Sequence, residues 1–196
     1  MPRLFSKLRQ LRKIVPLFLA LNLAGCFLTK VPLITPDTAD YPIEPGSHFD
    51  AFARRGTDWR PLPEGRSVHR QGDYYVYVND NSDRTSVPFL LMEISPGRYI
   101  LQANDTSNFS RVSEYYYFLV DFDGVEAIQH SGSCWPRQEW IDEGVITQVE
   151  RTSMNTRCHF ADIGGLTTVL EGTSEYTAPE EKYVLTAAGA ERSSPN

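Results

Sequence analysis

The stretch 115–129 reads YYYFLVDFDGVEAIQ, and it decides the fold class. Tyr115 to Phe122 is an aromatic and apolar run interrupted only by Asp121, which suits a pleated strand. Asp123-Gly124 follows, a pair that tolerates the positive φ of a hairpin turn, and Val125 to Gln129 returns.

Upstream the same logic repeats. Asn104 to Glu114 is polar and loop-like, and Tyr99 to Ala103 reads as a strand. Ser95-Pro96-Gly97-Arg98 suits a type II turn, with Pro second and Gly third. Val87 to Ile94 is an apolar run with Pro88 near its start, where a strand tolerates proline. Asn79 to Ser86 is polar, and Asp73 to Asn79 is rich in Tyr and Val. Residues 73–130 therefore read as an antiparallel meander of about five strands.

The last third is mixed. Gln138 to Glu143 suits a short helix and Val145 to Val149 a strand. Ile163, Leu166, Val169 and Leu170 have helical spacing, with Asp162 placed to cap the start and Gly172 the end. Tyr183 to Ala187 adds a final strand. The expected class is α+β, mostly β: an antiparallel meander with a C-terminal helix. One globular domain is expected over 48–187, and the small, polar 188–196 reads as a disordered tail.

The N-terminus has a different character. Arg3, Lys7, Arg9, Arg12 and Lys13 form a basic start, Ile14 to Leu23 is almost wholly apolar, and Leu23-Ala24-Gly25-Cys26 follows. That order is the pattern of a secretory signal, and its apolar core is too short for a spanning helix, which needs about twenty residues. Leu23-Ala24-Gly25-Cys26 resembles the lipobox of bacterial lipoprotein precursors. The resemblance implies that 1–25 is a signal peptide, that Cys26 receives the lipid, and that the mature chain starts there. Phe27, rather than an aspartate, follows the lipid cysteine, which implies an outer membrane location facing the periplasm. Residues 26–47 carry Pro32, Pro36, Pro42 and Pro45 and read as a semi-rigid tether. Val31, Leu33, Ile34 and Tyr41 also allow part of it to pack on the domain.

Loss of the five leader charges from the chain's 19 Lys and Arg leaves 14 against 25 Asp and Glu, a net charge of −11. An acidic body argues against a nucleic-acid partner and against electrostatic adsorption to an anionic membrane. The expected partners are the membrane, through the lipid, and an envelope protein or cell-wall glycan. No cofactor and no metal are expected.

After Cys26 only Cys134 and Cys158 remain, and an exported pair is expected to form a disulfide. Two other readings touch these residues, and a third concerns the Asn79 loop. Gly132-Ser133-Cys134-Trp135 resembles the nucleophile segment of papain-like cysteine proteases, with Cys134 as nucleophile. Ser131 stands where that motif has its first cysteine, and the downstream His159 lies far closer than that family places it. His130, Cys134, Cys158 and His159 could approach a zinc, but adjacent residues on a strand point apart. Asn79, Asn81 and Asp83 hint at calcium without the glycine and glutamate of an EF-hand.

Asp121, Asp123 and Glu126 flank the hairpin and could be paired carboxylates of a glycosidase, although the turn explains Asp123 better. Tyrosine is the most unusual feature. Tyr75 and Tyr77 would share one strand face, and Tyr115 and Tyr117 another, giving either cross-strand packing or an aromatic binding surface. The expected function is a non-enzymatic envelope binding or scaffolding module. The alternative is a small cell-wall hydrolase or redox enzyme, and the two differ in whether His130, His159 and Cys134 converge in one pocket.

Overall fold

The computed structural model describes residues 27–63, 65–79, 88–105, 114–130, 134–151 and 156–186. Cys26, Asn81, Asp83, Ser131 to Ser133, the leader and residues 187–196 lie outside the described residues.

The chain is mostly β. In order it forms β1 (Phe27–Thr29), β2 (His48–Arg55), β3 (Asp58–Pro61), β4 (Arg66–Gln71), β5 (Tyr74–Asn79), β6 (Phe89–Ser95) and β7 (Arg98–Asp105). There follow β8 (Glu114–Phe122), β9 (Glu126–His130), α1 (Gln138–Asp142), β10 (Gln148–Arg151), β11 (Thr156–His159), α2 (Ile163–Ser174) and β12 (Pro179–Thr186). All twelve strands belong to one mixed sheet.

Its pairing closes on itself. From β2 the antiparallel neighbours run β4, β5, β6, β7, β8, β9 and β12, and β12 pairs back onto β2. Eight strands therefore make a barrel, and β3 extends the edge of β2 beyond β4. The second edge of β8 is shared: its C-terminal half pairs with β9, and its N-terminal half pairs with β1. From β1 the sheet continues through a parallel pair with β11 to β10, outside the ring.

Strands 6, 7 and 8 are apolar on both faces because both faces are covered. Phe89 and Leu91, Tyr99 and Leu101, and Phe118 and Val120 line the interior. The alternate residues Leu90, Ile100, Tyr117 and Leu119 point out, into a second core shared with Leu166, Val169 and Leu170 of α2. Asp162 caps α2 through a 2.8 Å bond from the Gly165 N–H. The helix runs past Gly172, which has another use: a Cβ there would lie 2.9 Å from the Trp140 ring. α2 is followed by β12, so the last described element is a strand. Gly97 has a φ of 74° in the turn between β6 and β7, and a Cβ there would also crowd the Phe122 carbonyl oxygen at 3.2 Å.

Of the two readings of this segment, a tether or a stretch packed in part on the domain, the described residues 27–47 show the second. Phe27 is 0% exposed from the first described residue, and Leu28, Thr29 and Ile34 are buried. A polar belt holds the segment down. The Gln102 side-chain oxygen accepts the Leu33 and Ile34 N–H groups at 2.8 Å each, and the Gln102 amide donates to the Ile34 carbonyl at 2.8 Å. The Tyr117 hydroxyl bonds Thr29 at 2.7 Å and Gln102 at 3.0 Å. Four prolines did not keep the chain apart, because its backbone donors find fixed acceptors on the outer face of β7 and β8.

Cys134 and Cys158 form a disulfide-compatible pair, with Cα atoms 6.1 Å apart and 24 residues of separation. Oxidation of this pair constrains the unfolded chain by about 3–4 kcal/mol in the loop-entropy account. Cys134→Ser and Cys158→Ser should lower stability by similar amounts, and the double variant should cost little more than either. Urea unfolding with and without reductant checks this. Clearly additive losses would mean that the two thiols act separately.

Candidate functional site

The four tyrosines expected on a binding surface do not share one. Tyr75 and Tyr117 are both 0% exposed. The Tyr75 hydroxyl donates to the Ile43 carbonyl at 2.8 Å and accepts from the Ile43 N–H at 3.0 Å. Tyr117 belongs to the polar belt, and burial pushes its phenol up to about 12. Tyr115 packs on the outer core, whereas Tyr77 faces the barrel interior. Of the four, Tyr77 alone contributes to the cavity described next.

That cavity has a volume of about 170 Å³. It has room for on the order of ten water-sized groups. Phe49, Val68, Phe89, Leu91, Leu101, Phe118, Val120 and Phe122 give it an apolar wall. Interior-facing positions of an eight-stranded barrel either fill the lumen or leave space for one small ligand. Here Ala103 and Ala127 are among the lining residues, and space remains.

One polar fixture interrupts the wall. Arg66 on β4 sits between the rings of Tyr77 and Tyr183, 5.0 and 4.9 Å from their centroids. It also donates to the Tyr183 hydroxyl, and its guanidinium is 3.6 Å from Glu181. Tyr183 in turn donates to Glu181. Burial would lower the Arg66 pKa, but Tyr183 and Glu181 more than offset that, so the cation is retained. Burial holds the Tyr183 phenol well above its ordinary range, against the pull of Arg66, and Glu181 adds to the rise. Tyr77 is raised by burial as well. The fixture joins β4, β5 and β12 along one wall of the ring, and its two formal charges cancel.

The other candidates lie elsewhere. His130 contacts Asp121 at 2.7 Å, and Asp121 also accepts from Arg98 at 2.7 Å. Burial raises the Asp121 pKa, but the bonds from Arg98 and His130 outweigh it and hold the carboxyl below its usual value. Asp123 accepts the N–H groups of Val125 and Glu126 at 2.9 and 2.7 Å, the turn role expected of it. Glu126 pairs with Lys182 at 3.3 Å and His159 with Glu150 at 3.3 Å. His130, His159 and Cys134 line neither this cavity nor the groove at Trp135 described below. Among the described residues no group of three or more His, Cys, Asp or Glu is arranged to hold a metal. The papain-like segment, apart from Cys134 and Trp135, and most of the Asn79 loop lie outside the described residues.

No protein-family model, curated protein or solved structure matches the chain. The site was missed in the sequence because its parts are 117 positions apart and sit on strands with ordinary charged composition. The one signal was the alternation of Arg66 and Val68 on one strand and of Tyr75 and Tyr77 on the next, which puts a cation, an apolar residue and rings on shared faces.

The fixture makes a stability prediction. Arg66→Leu leaves the partly buried Glu181 without its cation and should cost about 2–3 kcal/mol, less than a fully buried pair because the Glu181 side chain is 24% exposed. Arg66→Leu combined with Glu181→Leu should recover much of that loss. A double-mutant cycle in urea checks it, and additive single losses would deny the coupling.

Proposed function

We propose that this chain is a lipid-anchored protein of the bacterial cell envelope whose barrel is a non-enzymatic binding module for a small, neutral, mainly apolar molecule. The closed ring around a cavity of about 170 Å³, mainly apolar, with the fixture of Arg66 and Glu181, Gln129 and Glu180 as its polar lining, carries the binding part of this reading. Apolar wall supplies affinity by removing surface from water, and a few placed polar groups orient the ligand. A ligand hydroxyl or carbonyl would meet Arg66 and Tyr77. An anionic ligand would face Glu181 at the fixture and Glu180, another lining residue. A cationic one would meet Arg66 at the fixture and find a carboxylate free of that pair only at Glu180, which is exposed.

The anchor rests on the leader and on Leu23-Ala24-Gly25-Cys26, and the outer membrane, periplasm-facing location on Phe27 after the lipid cysteine. Cys26→Ser should leave an uncut precursor that no longer partitions as the wild type does. Normal size and normal membrane partition in that variant would sink the anchor.

The binding part is tested with N-phenyl-1-naphthylamine, a neutral apolar fluorophore. The wild type should enhance its fluorescence. Ala103→Phe, which places a ring in the lumen, should weaken binding about tenfold or more, a change of about 1.4 kcal/mol. An anionic naphthylamine sulfonate should bind more weakly than the neutral probe. Equal affinity of wild type and Ala103→Phe, with the fold intact by circular dichroism, would place the probe outside the barrel.

A further inference from the structure

Trp135 and Tyr176 are 71% and 73% exposed, the most open large hydrophobic side chains among the described residues. They line one groove of about 620 Å³. Trp140 forms its floor, and the Arg137 guanidinium lies between the Trp140 and Tyr176 rings at 4.7 and 4.9 Å. A single exposed aromatic is ordinary, but two on one groove around a cation mark an interaction surface.

Its position relative to the N-terminus decides the partner. Trp135 follows Cys134, whose Cα is 6.1 Å from that of Cys158. Cys158 is the strand partner of Phe27, the residue after Cys26. With consecutive Cα atoms about 3.8 Å apart and neighbouring strands about 4.8 Å apart, this path puts Trp135 within about 15 Å of Phe27, the residue that follows Cys26 in the sequence. There is no slack in it, because Phe27 is fully buried and Leu28 is paired on both edges, with His159 and with Tyr116.

We propose that the face bearing Trp135, Arg137 and Tyr176 beds into the interface of the membrane that holds the Cys26 lipid, so that the domain lies against the bilayer. The inference rests on the lipoprotein reading. Tryptophan and tyrosine rings suit the headgroup level, with an apolar body and a polar edge, and an arginine there keeps its charge in water while its stem lies on the rings. The chain is acidic, so ring burial rather than attraction to anionic lipid drives the contact. A saccharide could also stack on the same rings, but nothing ties it to this edge, whereas the anchor places the bilayer beside it.

The test uses lipidated protein reconstituted into phosphatidylcholine vesicles, with and without brominated acyl chains. Flotation reads attachment, and quenching of tryptophan emission reads contact. The protein should float and be quenched by the brominated lipid. Trp135→Phe should lose most of the quenching, Trp59→Phe should keep it, and Tyr176→Ser should reduce it. Protein that floats but is not quenched, or quenching that survives Trp135→Phe and is lost in Trp59→Phe, overturns the orientation and leaves the anchor standing. So does a Trp135 emission that responds to soluble cell-wall glycan fragments and not to lipid. Lipidated protein that fails to float overturns anchor and orientation together.

Discussion

The closing strand is the constraint on which the site depends. β12 is held along both edges, from Glu181↔Ala53 to Thr186↔His48 on β2 and from Pro179↔His130 to Val184↔Glu126 on β9. Without it β2 and β9 would each expose an edge, and the inner faces of the seven remaining strands would meet water. Closure removes the edges and makes a lumen. It also brings Glu181 and Tyr183 to Arg66, so barrel and fixture form in one step. Lys182, the residue between them, points the other way and pairs with Glu126 outside the lumen.

Coverage of the outer face follows from composition. Strands 6 to 8 are apolar on both sides, and one side must be hidden by something other than the lumen. α2, Trp140, Phe160 and the N-terminal segment supply the cover. Three polar groups trapped beneath it are bonded together: Thr29, Gln102 and Tyr117 serve each other and the backbone of Leu33 and Ile34. The same bonds that satisfy buried polar atoms fix the first described residues of the chain, so a core requirement removes the freedom of that segment.

The mostly β character was legible because strand periodicity is local. The runs 99–103 and 115–122 lie within β7 and β8, and Gly97 and Gly124, read as turn residues, have φ of 74° and 94°. The first strands after residue 47 were not legible. HFDAFARR in β2 mixes Phe with charges on both faces, since its edges and its outer side meet polar neighbours. Closure was not legible either, because pairing of β12 with β2 joins residues 138 apart at Thr186 and His48 and leaves no local mark. The tyrosines misled for a related reason. Strand position says which residues share a face, but only the closed ring says that one face is the lumen and the other lies under a helix.

Electrostatics on two scales agree about what the lumen can accept. A lone arginine among phenyl and isopropyl groups would attract an anion strongly, since little water remains to screen it. Glu181, 3.6 Å away, removes that preference and leaves donors and aromatic faces in place. Farther out, the chain carries a net charge of −6 even with its basic leader, and Glu180 is exposed while lining the cavity. An approaching anion is therefore repelled before it arrives and finds no unbalanced cation when it does. A neutral molecule meets neither obstacle, gains the full benefit of the apolar wall, and can still be turned one way by the single fixed cluster of Arg66, Tyr77 and Tyr183.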